Sequence, residues 1–131
     1  MKRVAMKRKP KKLGWVKGVY RASRAELDKI RLAKGGRCRV CGTPTWQLHH
    51  LIGGNSRSDE PDNLIPLGLS GTTGCHGIYT DRMPGLGCDG IRRTWEQVAA
   101  AIRGSLTDRE KNFIIDREGQ AGLDRRYPKA A

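Results

Sequence analysis

Long apolar runs are absent from this 131-residue chain, and no stretch approaches the ~18 consecutive apolar residues of a membrane-spanning helix. The basic N-terminus has no apolar signal-peptide core behind it, so a soluble, unexported, cytoplasmic protein with no membrane partner is expected. Aromatics are also scarce, at 5% with a single Phe, while Gly reaches 17. A modest, turn-rich core follows, of single-domain size and of the kind that a bound metal helps to stabilise. Acidic residues are missing altogether from residues 1–24.

That last absence leaves Lys2, Arg3, Lys7, Arg8, Lys9, Lys11, Lys12, Lys17, Arg21 and Arg24 unopposed, and these supply most of the formal net charge of +13. A run of this kind is either a solvated tail or a contact for a polyanion. Residues 1–22 are expected to form a flexible basic arm, and residues 23–131 one folded domain. Trp15 and Tyr20 in the arm suit either stacking on bases or docking onto the core.

Capping-box spacing predicts three helices: Ser23 with Glu26 opens about 23–34, Thr94 with Gln97 about 95–103, and Thr107 with Glu110 about 108–121. Gly35-Gly36 stops the first and Gly122 the last. Alternation over Thr45–Leu51 predicts a strand, and Asn63–Leu67 a second, with Pro66 at an edge or strand end because it cannot donate to a ladder. Residues 52–62 are turn chemistry, Cys75–Thr80 begins a short helix, and Met83–Gly90 is a Gly/Pro loop. The fold class is therefore α+β.

Four cysteines admit two disulfides, a redox pair or metal ligands. With no export signal, reduced thiols are the better reading, and Cys38-x-x-Cys41 has the knuckle spacing that points two thiolates at one zinc. Cys75 and Cys88 complete a four-sulfur set in number, though their own spacing does not bring them together. No βαβ pattern surrounds the Cys-x-x-Cys pair, which argues against a thiol oxidoreductase. All three histidines, His49, His50 and His76, fall near this knuckle or beside Cys75. In a regular strand His49 and His50 face opposite sides, unless the Gly53-Gly54 turn lets both rings reach one pocket.

Cys38-x-x-Cys41, Leu48-His49-His50-Leu51, Asp62-Asn63-Leu64-Ile65-Pro66-Leu67 and Gly71-Thr72-Thr73-Gly74-Cys75-His76-Gly77, taken in that order, resemble the HNH (His-Asn-His) endonuclease family, especially its small phage and bacterial members. The resemblance spans about residues 35–82. It implies a ββα-metal core with a structural zinc on the cysteines, flanked by helices. His50 resembles the general base, His49 a ligand of a catalytic divalent ion, and His76 a second ligand or phosphate contact. Asn63 resembles the family Asn, which binds the metal or fixes the base; by itself it also reads as a turn Asn. Catalytic residues on this reading are His50, His49, Asn63 and His76.

The implied reaction is phosphodiester hydrolysis in double-stranded DNA to a 5′-phosphate and a 3′-hydroxyl, by nicking or double-strand cutting. Mg2+ or Mn2+ is the expected catalytic ion, with Ni2+ or Zn2+ compatible with imidazole ligands. Phage relatives act beside DNA-packaging proteins in the host cytoplasm. Lys7, Arg8, Lys9, Lys11, Lys12, Lys17 and Arg21 become the expected DNA contacts, with Arg82, Arg92, Arg93, Arg125 and Arg126 adding to the footprint.

Two positions depart from the pattern. Gly68 stands where many relatives carry a zinc-ligand Cys, which leaves Cys88 as the replacement, and Thr80 stands where relatives often have another His. The main alternative is a zinc-stabilised nucleic-acid-binding protein without catalysis. A scaffold that keeps the nuclease fold for contacts with a partner is a more distant one.

Overall fold

The computed structural model describes residues 19–54, 57–68 and 74–130. It is a mixture of helices and two small antiparallel sheets. Among the described residues, no helix is long and apolar enough to cross a membrane.

All three capping boxes form. Helix α1 (Arg24–Ala33) begins where Ser23 Oγ accepts from the Glu26 amide at 3.1 Å and Glu26 Oε1 accepts from the Ser23 amide at 2.8 Å. The same reciprocal pairing opens α3 (Trp95–Ser105) and α4 (Asp108–Arg126). Each box satisfies backbone donors that a helix start leaves orphaned.

Strand β1 (Leu48–His50) pairs antiparallel with β2 (Leu64–Pro66), His49 opposite Ile65 and His50 opposite Leu64. Pro66 ends its strand. The first strand is shorter than the expected 45–51: Thr45 N turns to Gly36 O at 2.9 Å, while Gln47 O still accepts from Leu67 N at 3.3 Å beyond the end of the strand. Helix α2 (Gly74–Asp81) follows the hairpin, and the expected Gly/Pro loop then contains a short ladder of β3 (Gly85–Leu86) against β4 (Arg92–Arg93). Two-residue strands carry no periodicity from which they could be read.

The core joins Leu51, Ile65 and Leu67 of the hairpin region to Ile78 of α2 and to Val98, Ile102, Phe113, Ile114 and Leu123 of the last two helices. Its polar fastening is Glu110. This carboxylate caps α4 and also receives Lys34 Nζ at 2.7 Å and two hydrogen bonds from Arg39 at 3.0 Å. Burial opposes its ionisation, but these cations and the Thr107 amide hold its carboxyl down at about 2. Lys34 also donates to Leu64 O at 2.6 Å, so the end of α1, strand β2, the cysteine knuckle and α4 meet at one ion cluster.

The last helix does not stop at Gly122 as expected. Its break lies at Gly119, with φ 76 and ψ 173, after which helix resumes to Arg126. Gly122 serves closeness: a Cβ there would stand 2.4 Å from Glu118 Cβ. Arg126 bridges the break with two bonds to Glu118, at 2.6 and 2.9 Å. The redirected end carries Tyr127, fully buried, into the hairpin.

Candidate metal centre and histidine cluster

The sulfur atoms of Cys38, Cys41, Cys75 and Cys88 all lie within 4.8 Å of one another. The knuckle presents the first two: the Cys38 amide donates to Thr43 O, the Gly42 amide to Cys38 O, and Gly42 takes φ 81. Helix α2 presents Cys75, and the β3–β4 turn presents Cys88. A Cβ on Gly68 would stand 2.3 Å from Cys88 Sγ, and one on Gly87 would stand 3.2 Å from Cys75 Sγ. The chain thus leaves side-chain room around the sulfurs, and Cys88 fills the space beside the position where a residue-68 side chain would be.

Such a group can hold a metal ion such as zinc, which takes four sulfur ligands. The protonation pattern fits the donor set. A hydrogen bond from the Cys75 thiol, helped by the amides of Gly68, Cys41 and Val40, outweighs burial and holds Cys38 at about 4. Cys75 is pushed up by the proton it shares with Cys38 and by burial, and Cys88 is pushed up to about 11 by burial and by the neighbouring sulfurs. One thiolate is stabilised chiefly by the Cys75 thiol and then by backbone amides; further thiolates beside it call for a cation.

The strand keeps its alternation, so the histidine pair divides. His49 is buried in contact with α2 and the chain end, its ring centroid 5.1 Å from both His76 and Tyr79 in edge-on arrangement. Tyr127 Oη donates to Leu51 O at 2.7 Å, and His49 Nε2 lies 2.9 Å from the same hydroxyl. The tyrosine has one proton and gives it to the carbonyl, so His49 donates through Nε2 and its Nδ1 carries the lone pair. Burial, then the charges of His76, His50 and Arg126, pull His49 down to about 3, which keeps it neutral at pH 7. His76 is likewise lowered, chiefly by burial, and its Nδ1 is buried with no hydrogen-bond partner among the described residues.

His50 lines a cleft on the α1 side, where its Nε2 meets Asp59 Oδ1 at 2.7 Å. Although burial opposes it, the bonds from His50 and the Ala22 amide keep Asp59 ionised below its ordinary range. Asp59 therefore accepts the Nε2 proton, which leaves Nδ1 as the nitrogen that Asp59 does not engage. The root of the basic arm fixes Asp59 in turn: Ala22 N donates to Oδ2 at 3.0 Å and Asp59 N donates to Tyr20 O at 2.7 Å.

Asn63 is buried and spends its side chain on the loop after β1, donating to Ser58 O at 2.7 Å and to Ile52 O at 3.2 Å while accepting from the Ile52 amide at 2.8 Å. It clamps the backbone between His50 and Asp59. Of the expected DNA contacts, Lys7, Arg8, Lys9, Lys11, Lys12 and Lys17 lie outside the described residues, and Arg21 donates to Arg57 O.

No family model, curated protein or solved structure matches this chain.

Sequence reasoning missed Asp59 and Tyr127. Asp59 lies among turn-forming residues that read only as loop, and Tyr127 is 78 residues from the histidine it orients.

Proposed function

We propose that this chain is a metal-dependent DNA endonuclease of the HNH kind, with a structural zinc on Cys38, Cys41, Cys75 and Cys88. The observation that carries the reading is His76 Nδ1, buried and without a hydrogen-bond partner among the described residues, on a ring 5.1 Å from that of His49, whose Nε2 is taken by Tyr127 so that Nδ1 carries its lone pair. Orphaned buried acceptors are costly, and divalent-ion ligands are a site where they recur. His49 and His76 would hold the catalytic ion, Mg2+ or Mn2+, which when bound offsets charge gathering on the phosphate.

His50 supplies the base: its ring leaves strand β1 on the other side from His49, yet it lies close enough for its charge to act on both His49 and His76. With Asp59 holding its Nε2 proton, Nδ1 is the atom that takes a proton from water as the water's oxygen bonds to phosphorus and the P–O3′ bond breaks, O3′ taking up a proton from solvent to leave as the 3′-hydroxyl. Asn63 keeps the backbone of this segment in place. Cations of the arm supply sequence-independent phosphate contacts, so binding should weaken steeply with salt.

The test is conversion of supercoiled plasmid by protein purified without chelator, with Mg2+ or Mn2+ added and His50→Ala run in parallel. Nicked or linear product from the wild type alone supports the reading. Equal cutting by His50→Ala removes His50 as base. Binding without cutting by a folded, zinc-loaded wild type would favour a non-catalytic nucleic-acid-binding protein.

A further inference from the structure

The cleft on the α1 side of the hairpin has His50 in its wall and neither His49 nor His76, and the interior beyond His50, with Trp46, three leucines and Asp28, is not needed for the hydrolytic step. We propose that it binds one unpaired nucleobase, stacked on Trp46 beside His50. This deepens the nuclease reading and rests on its nucleic-acid substrate.

Trp46 is 84% exposed, although an indole is among the largest apolar groups a core can use. Behind it lies Arg31, only 8% exposed, with its guanidinium carbon 4.6 Å from the ring centroid. Arg31 Nη1 donates to Thr45 O at 3.4 Å, one residue before the indole, while its buried Nε has no hydrogen-bond partner among the described residues. Burying a cation incompletely paired costs stability. What it achieves here is a fixed indole at the mouth of a cleft.

The walls match a base. Leu27 and Leu48 supply apolar surface over the fully buried Leu64, and the cleft volume is about 300 Å³, at the small end of ligand pockets. Arg24 and Arg31 are offset by Asp28 and Asp59. A phosphate would meet two carboxylates in such a place, whereas a neutral heterocycle offers a π-face to Trp46 and donor and acceptor edges to the charged groups. A base paired inside a duplex cannot enter without leaving the stack. The favoured substrate is therefore DNA carrying an unpaired nucleotide, whose adjoining phosphodiester is brought beside His50.

The experiment compares affinity, by fluorescence anisotropy without added Mg2+ or Mn2+ and without chelator, for a paired duplex and for the same duplex with a one-nucleotide bulge. Wild type is expected to favour the bulge by about 5- to 150-fold, the range of one base–aromatic stack. Trp46→Ala should bring the ratio close to one, and Trp46→Phe should keep most of it. No preference in the wild type, or an unchanged ratio in Trp46→Ala, overturns the pocket. Plasmid cleavage by the same samples separates the two readings. A Trp46-dependent bulge preference without cleavage leaves the pocket standing and removes the nuclease; cleavage without the preference does the reverse.

Discussion

His50 and Asp59 share a 2.7 Å hydrogen bond, and the far oxygen of Asp59 is held by the Ala22 amide at 3.0 Å. The imidazole is thus oriented by a carboxylate that the root of the arm fixes from behind. Asp59→Ala should lower kcat for DNA cleavage by about 100-fold, the scale of a misplaced reacting group, with little change in KM. Asp59→Asn keeps an oxygen acceptor and should fall between. A variant that loses thermal stability but keeps full kcat would show that Asp59 only secures the loop.

Tyr127 Oη joins His49 Nε2 to Leu51 O, and Tyr127→Phe removes both bonds at once. Two buried polar groups then lose partners, so unfolding free energy should drop by about 1–3 kcal/mol. If His49 holds the catalytic ion, the Mg2+ or Mn2+ concentration needed for half-maximal cleavage should rise by about 10- to 100-fold. A normal cation requirement in a destabilised variant would separate His49 from ion binding.

Gly68→Ala places a methyl within 2.3 Å of Cys88 Sγ unless one of them shifts. Zinc content by elemental analysis should fall well below one per chain, and Cys88→Ser should behave alike. Gly104→Ala in α3, where a Cβ meets nothing within 4 Å, is the control and should be neutral or slightly stabilising. Retention of full zinc by both Gly68→Ala and Cys88→Ser would remove Cys88 from the ligand set.

Glu110 links stability to acid. Its folded carboxyl titrates at about 2 against an ordinary value of 4.5, so its contribution is fully present above about pH 5 and is lost as pH falls toward 2. The gap corresponds to about 3 kcal/mol. Glu110→Gln should lose a comparable amount at pH 7 and flatten the acid limb of urea-denaturation free energy between pH 5 and 2. An acid limb as steep as wild type would place the sensitivity elsewhere.

Local chemistry in the sequence identifies the three helix starts, the knuckle and the hairpin strands. Each depends on partners a few residues apart, such as Ser23 with Glu26 or the bends around Gly42, or on short-range alternation. Ending the last helix at Gly122 was misleading for the same reason. A glycine near a helix end suits a stop, and only packing shows that Gly122 is pressed against Glu118 while the positive φ falls at Gly119.

By itself the sequence determined the residue types and their order: four sulfurs, three imidazoles, an Asn that reads equally as a turn residue, and a cationic arm. Only the tertiary structure decided which of them meet. Cys88 reaches the other sulfurs through a turn between two-residue strands, Tyr127 reaches His49 through a kinked helix, and Asp59 reaches His50 across a loop clamped by Asn63. Hydrogen bonds within one turn are encoded by spacing along the chain. Contacts between distant segments follow from how the apolar faces of separate elements are buried together, and no spacing records that.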